Sequence, residues 1–305
     1  MSSVPLEVGV YGKVGTQADF LRANAGEFSQ AGLDLWFQEA METLRTEGTQ
    51  LPQACTGFLL APSGAASTFL GSFAPTADSA GRSFLLAIFA QIGRDAAVRD
   101  GSLSLPSMHD GFVRAVGTIV AQSGNLTGPE IVARAQAAAA ASTTFDSRPL
   151  VLAQEPAQPL IAALGDTPNA LAYALRTFIS ACDQAAKTGP DGRGGVITVD
   201  APAPSLAVRE LWIQIARRRL GWRDASPSLL WTEGATGRML ITLGPPGSAA
   251  LSYLANPRHR ASRFWPLRTE VTAAIDQAMN AMTPEQRQQI DRSDVCLGDL
   301  VSSFS

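Results

Sequence analysis

The stretch VGVYGKVGTQADFL, residues 8–21, decides how the chain is read. It opens within a buried strand, Leu6–Tyr11, then breaks into Gly12-Lys13, a second glycine at Gly15, and Asp19-Phe20. A glycine and a lysine after a strand invite comparison with a phosphate-binding loop. That motif needs a glycine five residues before Gly12 and a serine or threonine after the lysine, to cradle phosphate and hold magnesium. Glu7 and Val14 stand at those two positions, so the motif fails at both ends. The stretch reads as a strand followed by a glycine turn.

Outward from this strand, Gly57–Ala61, Phe69–Phe73 and Phe84–Ala90 are further apolar runs bounded by Gly, Pro and Asp, and they predict strands. Between the first two, Leu33, Trp36, Phe37, Ala40, Met41 and Leu44 recur at helical spacing on one face. Phe112, Val113, Val116, Ile119 and Val120 repeat the pattern, with Gly124 as a stop. Thr127 and Glu130 have capping-box spacing before a polyalanine helix. With so little apolar bulk, that helix is expected on the surface or joining two halves.

Residues 143–160, TTFDSRPLVLAQEPAQPL, are punctuated by proline and mark the expected boundary. They divide the chain into an N-terminal α/β domain, residues 1–145, and a C-terminal α/β part, residues 146–305, which either packs onto the same core or forms its own and ends in helices over 266–300. Beyond the boundary a helix spans Leu171 to Cys182, and GVITVD is a strand. Val208, Leu211, Trp212 and Ile215 mark another helix, and SLLWTEGATGRMLITLG a hairpin with EGATG as its loop. A helix through Val271 and Met282 follows, then a short one with Pro284 at its first position behind Thr283. This alternation predicts an α/β protein with helices layered on a mixed sheet.

The 305 residues, 46% hydrophobic and 17% charged, suffice for one large core or two modest ones. A net charge of −3 gives no general pull towards nucleic acid or anionic membrane. Cys55, Cys182 and Cys296 lie far apart and read as reduced thiols of a cytoplasmic protein. The N-terminus lacks a signal-peptide pattern, and no apolar run reaches the ~18 residues of a spanning helix.

The chemistry is sparse. With only His109 and His259 present, SMHDGF (107–112) offers serine, histidine and aspartate side by side. Sequence neighbours seldom aim at one point, and no nucleophile elbow is present. Neither histidine has a second ligand at metal-binding spacing. No enzyme activity, cofactor or metal is expected. The glycine-rich GPDGRGGV (189–196) precedes a strand, the wrong side for a dinucleotide fingerprint, and reads as a turn.

Two arginine clusters, Arg217-Arg218-Arg219 and RHRASR (258–263, with Arg258 and Arg260), are either solvated surface or a docking patch for an acidic or phosphorylated partner. In APTADSAGRSFLLAIFA (74–90), Arg82 at the mouth of a strand calls for a carboxylate, and Asp19 or Asp78 is the candidate. Lys13, Asp19, Asp78 and Arg82 therefore form a candidate polar cluster that either binds a partner or fixes two loops.

Two of these stretches carry a resemblance. GVYGKVGTQADF (9–20) is similar to the YGK-l-P-x-x-gDF opening of the TagF (ImpM) family, with Trp36 at that family's helical tryptophan. PTADSAGRSF (75–84) resembles its P-S-x-D-x-V-G-R-x-F-P-L segment, and SLLWTEG and LITLGPPGSAALSYLANP resemble later stretches. Gly15, Ala18, Ala80 and Leu85 depart from the family's proline, glycine, valine and second proline.

The resemblance implies an αβα sandwich and a post-translational repressor of bacterial type VI secretion. It implies a forkhead-associated (Fha) scaffold protein as partner, in parallel with a threonine phosphorylation pathway. With no clustered aspartates past residue 150, it implies the form without a fused phosphatase. The alternative is a cytoplasmic adaptor of the type VI membrane complex, with membrane-complex subunits as partners. Neither reading involves nucleic acid or membrane insertion.

Overall fold

The computed structural model describes residues 6–93, 105–142, 152–192, 195–222, 225–247, 249–258 and 261–304. The chain forms two compact units, Met1–Arg148 with Pro246–His259, and Pro149–Pro245 with Arg260–Ser305.

The first unit runs β1 (Glu7–Gly12), β2 (Leu21–Ala23), α1 (Gly26–Gln30), α2 (Leu33–Glu47), β3 (Thr56–Leu60), β4 (Ser67–Ala77) and β5 (Ser83–Gly93). Then follow α3 (Leu105–Met108), α4 (Asp110–Ala121) and α5 (Gly128–Ser142). Its strands pair antiparallel in the order β2-β1-β5-β4-β3. The long β4–β5 hairpin, in register at Phe73↔Ala87, is the spine of this sheet.

Strand alternation sends successive side chains to opposite faces. On one face Phe69, Phe73 and Phe89 meet the helices before β3. The Phe28 ring stacks on Phe89 at 4.5 Å and meets Phe69 edge-on at 5.4 Å, and Phe37 meets Phe73 at 5.5 Å. On the other face the Ser72 hydroxyl donates to the Val113 carbonyl on α4 at 2.9 Å. Helices thus cover both faces, an αβα sandwich. This explains why β5 reads as an uninterrupted apolar run rather than an alternating one. Burying a phenylalanine such as Phe28 completely contributes about 2–3 kcal/mol.

The polyalanine helix α5 packs along α4 and β1 through Ile131, Ala135 and Ala139. Its capping box is only half formed. Glu130 accepts both the N–H and the hydroxyl of Thr127, at 2.8 and 2.7 Å. Helix α4 ends at Ala121, before Gly124. Residues 246–259 also belong to this unit. A short helix, Ala250–Ala255, packs beside α2, and the Trp36 indole N–H donates to the Gly247 carbonyl at 3.0 Å.

The second unit runs α6 (Gln158–Leu164), α7 (Pro168–Thr188), β6 (Ile197–Pro202), α8 (Leu206–Leu220), β7 (Ser228–Thr232) and β8 (Arg238–Leu243). It closes with β9 (Phe264–Pro266), α9 (Thr272–Asn280), α10 (Pro284–Ile290) and α11 (Leu297–Phe304). Its strands lie in the order β7-β8-β6-β9, antiparallel except for the parallel β6–β9 pair, so the sheet is mixed.

The helix starts follow side-chain chemistry. Thr167 and Ser205 accept from Ala170 and Val208 N–H groups, and Thr283 with Gln286 forms a complete capping box. Phe178 of α7 meets Trp212 of α8 edge-on at 5.0 Å, and the Trp212 indole N–H donates to the Pro202 carbonyl. Of the boundary stretch 143–160, residues 143–151 lie outside the described residues. Among the described residues, no helix is long and apolar enough to cross a membrane.

Candidate functional site

Four of the sequence candidates fall in the first unit around the tip of the β4–β5 hairpin. Asp78 follows β4, and its N–H donates to the Arg82 carbonyl at 3.2 Å. Its Oδ1 accepts the N–H groups of Ala80 and Arg82 at 3.0 and 2.9 Å, the local bonding that favours aspartate in turns. Gly81 adopts φ +78°, which lets the turn close without strain. Oδ2 faces two cations, Lys13 Nζ at 2.8 Å and Arg82 Nε at 2.7 Å.

The Asp78 side chain is 0% exposed, Lys13 11% and Arg82 60%. The Lys13 ammonium first, then the N–H and guanidinium of Arg82 and the Ala80 N–H, hold the Asp78 carboxyl well below the usual carboxylate range, against the opposing effect of burial. Asp78 is thus a fully occupied anion at neutral pH.

The same contacts fasten the opening loop. Lys13 N–H donates to the Leu85 carbonyl, Thr76 Oγ1 to the Lys13 carbonyl, Ser79 N–H to Gln17 and Arg82 Nη2 to Ala18. Gly12 sits at φ +144°, and a Cβ there would collide with the Leu85 carbonyl. This glycine serves the close approach of two strands, not a phosphate.

Asp78, rather than Asp19, is the carboxylate that Arg82 engages. Asp19 is exposed, because the loop turns the neighbouring Ala18 carbonyl towards the guanidinium. Aromatic residues that sequence patterning did not single out complete the cluster. Lys13 Nζ lies 5.3 Å from the centre of the Phe20 ring, and Arg22 Cζ lies 5.6 Å from Phe20 and 5.7 Å from Tyr11. Beyond Tyr11, whose hydroxyl accepts from Gln38 Nε2 at 3.1 Å, a groove of about 810 Å³ opens between α2 and the end of the hairpin.

The arginine clusters do not form one patch. On α8, Arg217 is exposed, Arg218 Nη1 donates to the Val301 carbonyl at 3.4 Å, and Arg219 Nε lies 3.7 Å from Asp183. Arg258 is exposed but belongs to the first unit, and Arg260, like His259, lies outside the described residues. His109 sits at the N-terminal cap of α4. Two ion pairs of the second unit escaped sequence reading: Arg238 holds Asp200 bidentately at 3.0 and 2.9 Å, and Arg209 meets Glu233 at 2.7 Å. Their signal was the presence of Asp200 and Arg238 inside otherwise apolar strands. Among the described residues, no group of three His, Cys, Asp or Glu side chains is placed to hold a metal.

Residues 9–140 match the TagF N-terminal domain, described as type VI secretion system-associated. That stretch carries a TagF N-terminal domain. The matched TagF segment begins in β1 and ends in α5, so it contains Lys13, Asp78, Arg82 and the groove. Among solved structures the chain is similar to PA0076 from Pseudomonas aeruginosa PAO1, crystallised at 2.05 Å resolution. The two are 17% identical over 84% of this chain and 96% of that one, with a TM-score of 0.46. No curated protein matches the sequence.

Proposed function

We propose that this type VI secretion-associated protein is a post-translational repressor of secretion, acting in the cytoplasm by binding an Fha-type scaffold protein. The TagF N-terminal domain at residues 9–140 carries this reading. It acts by occupancy rather than turnover. Asp78 supports that view, because a carboxylate that accepts from two cations and two backbone N–H groups has no proton to give and no free lone pair to take one. The Lys13–Asp78–Arg82 cluster fixes the hairpin tip and the opening loop in a binding-competent shape.

The test has two parts. The purified protein is presented with the Fha protein of its own organism, and secretion is measured in a deletion strain. Capture together with increased secretion on deletion is the expected result. Abolished secretion would make the protein an adaptor of the membrane complex, and failure to capture the scaffold would sink the proposed partner.

A further inference from the structure

Strand β4 outruns its neighbour β3. Residues Phe69–Phe73 pair with β3, whereas Ala74–Ala77 have β5 on one side and, among the described residues, no strand on the other. The residues just before β3 form no strand. The direction of the free groups follows from the hairpin. The Asp78 N–H bond to the Arg82 carbonyl makes those two residues a hydrogen-bonded pair. Antiparallel alternation then turns Pro75 and Ala77 outward. Pro75 has no N–H, so the open edge offers the Pro75 carbonyl and both backbone groups of Ala77.

This edge borders the groove of about 810 Å³, with α2 as the opposite wall. The two charged groups of the lining, Glu42 and Arg45, neutralise each other at 2.6 Å. The remaining lining pairs the amides of Gln38, Gln50 and Gln53 with apolar surface from Met41 and Phe84. A charged ligand such as a phosphate would find no counter-charge left to meet it, whereas a neutral main chain would find amides and strand edge together.

We propose that the groove takes an extended, uncharged polypeptide segment of a partner protein, added as a strand beside Ala74–Ala77. Four residues of strand span about 13 Å, the length of the open edge. Main-chain bonds to Ala77 and Pro75 hold the segment in register, and the α2 wall selects its side chains. The buried Asp78 and its two cations hold the hairpin tip still, which lowers the ordering cost of binding. This surface rests on the partner-binding reading above and names where that partner docks.

The probe is a display library of random heptapeptides selected on the full-length protein. Neutral, strand-forming sequences are expected to enrich. Ala77→Pro removes the outward N–H and fills the edge with a ring while sparing the ladder to β5, and it should weaken a selected peptide by roughly tenfold. Met41→Arg, on the helix wall, should do the same, and melting curves near wild type would establish that at least one of the two variants is folded. Equal binding by a folded variant, enrichment of acidic sequences alone, or no enrichment overturns the proposal. So does a concentration-dependent dimer that both variants dissociate, which would give the groove to a second copy.

Scaffold capture by the same variants separates this inference from the reading beneath it. Capture by wild type and both variants alike overturns the docking groove and leaves the repressor reading intact. Groove-bound peptides on a protein that captures no scaffold keep the groove and remove the Fha partner.

Discussion

The tip of the β4–β5 hairpin and the C-terminal end of α8 are both rich in cations, yet they are built in opposite senses. At the hairpin, Lys13 and Arg82 come from distant parts of the chain and converge on one buried carboxylate. On α8, three consecutive arginines diverge: one to solvent, one to the Val301 carbonyl and one towards Asp183. A helix turns about 100° per residue, so neighbours in sequence cannot share a target. Convergence creates a site whose members depend on one another. Divergence leaves one solvated side chain and two separate contacts, each of modest worth.

The strongest way to break this contrast is Asp78→Asn. It leaves the near-buried Lys13 without a counter-charge, and it should produce the largest fall in urea midpoint for the first unit. Lys13→Met comes next, at about 3 kcal/mol, the usual cost of breaking a buried pair from one side. If either change left the midpoint where it was, the cluster would not be holding the hairpin.

Acid sharpens the same point. Because the Asp78 carboxyl is held below its ordinary value of about 3.9, its stabilisation is fully present above that value and is lost as pH falls towards the folded-state value. Urea midpoints across the acid range should show that loss in wild type and a shallower one in Asp78→Asn. In the second unit, Arg238→Met strands the half-buried Asp200 and should cost about 2 kcal/mol. At the small end, Arg217→Ala and Asp19→Asn should each stay within about 0.5 kcal/mol of wild type by denaturation. A large loss from Arg217→Ala would mean that the run on α8 acts as one unit after all.

Much of the fold is legible in the sequence because its long elements are one-sided. Leu33, Trp36, Phe37, Ala40 and Leu44 lie at helical spacing and are all buried on α2. The hairpin of the second unit is equally readable, since EGATG is bounded by apolar runs on both sides. Strands of three residues such as β2 and β9 carry no period to detect, and the helix at Ala250–Ala255 is too short to show one.

The polar cluster was half readable. Arg82 calls for a carboxylate and the turn residues mark Asp78, but local sequence cannot choose between Asp78 and Asp19. That choice depends on which atom of the opening loop reaches the guanidinium, and Ala18 does so with its carbonyl. The groove was invisible, because it exists only where β4 runs past the last residue it pairs with on β3.

The bond from the Trp36 indole to the Gly247 carbonyl joins residues 211 positions apart and has a consequence for how the protein is made. Every strand of the first unit has left the ribosome long before Gly247 is synthesised. At about 5–20 residues per second, the roughly one hundred residues between Arg148 and Pro246 delay the final piece by about 5–20 s. Throughout that interval, the side of α2 that later receives the Ala250–Ala255 helix is bare. The N-terminal unit therefore begins to fold well before its last piece exists. A nascent chain paused within the second unit is the form in which a holding chaperone would meet it.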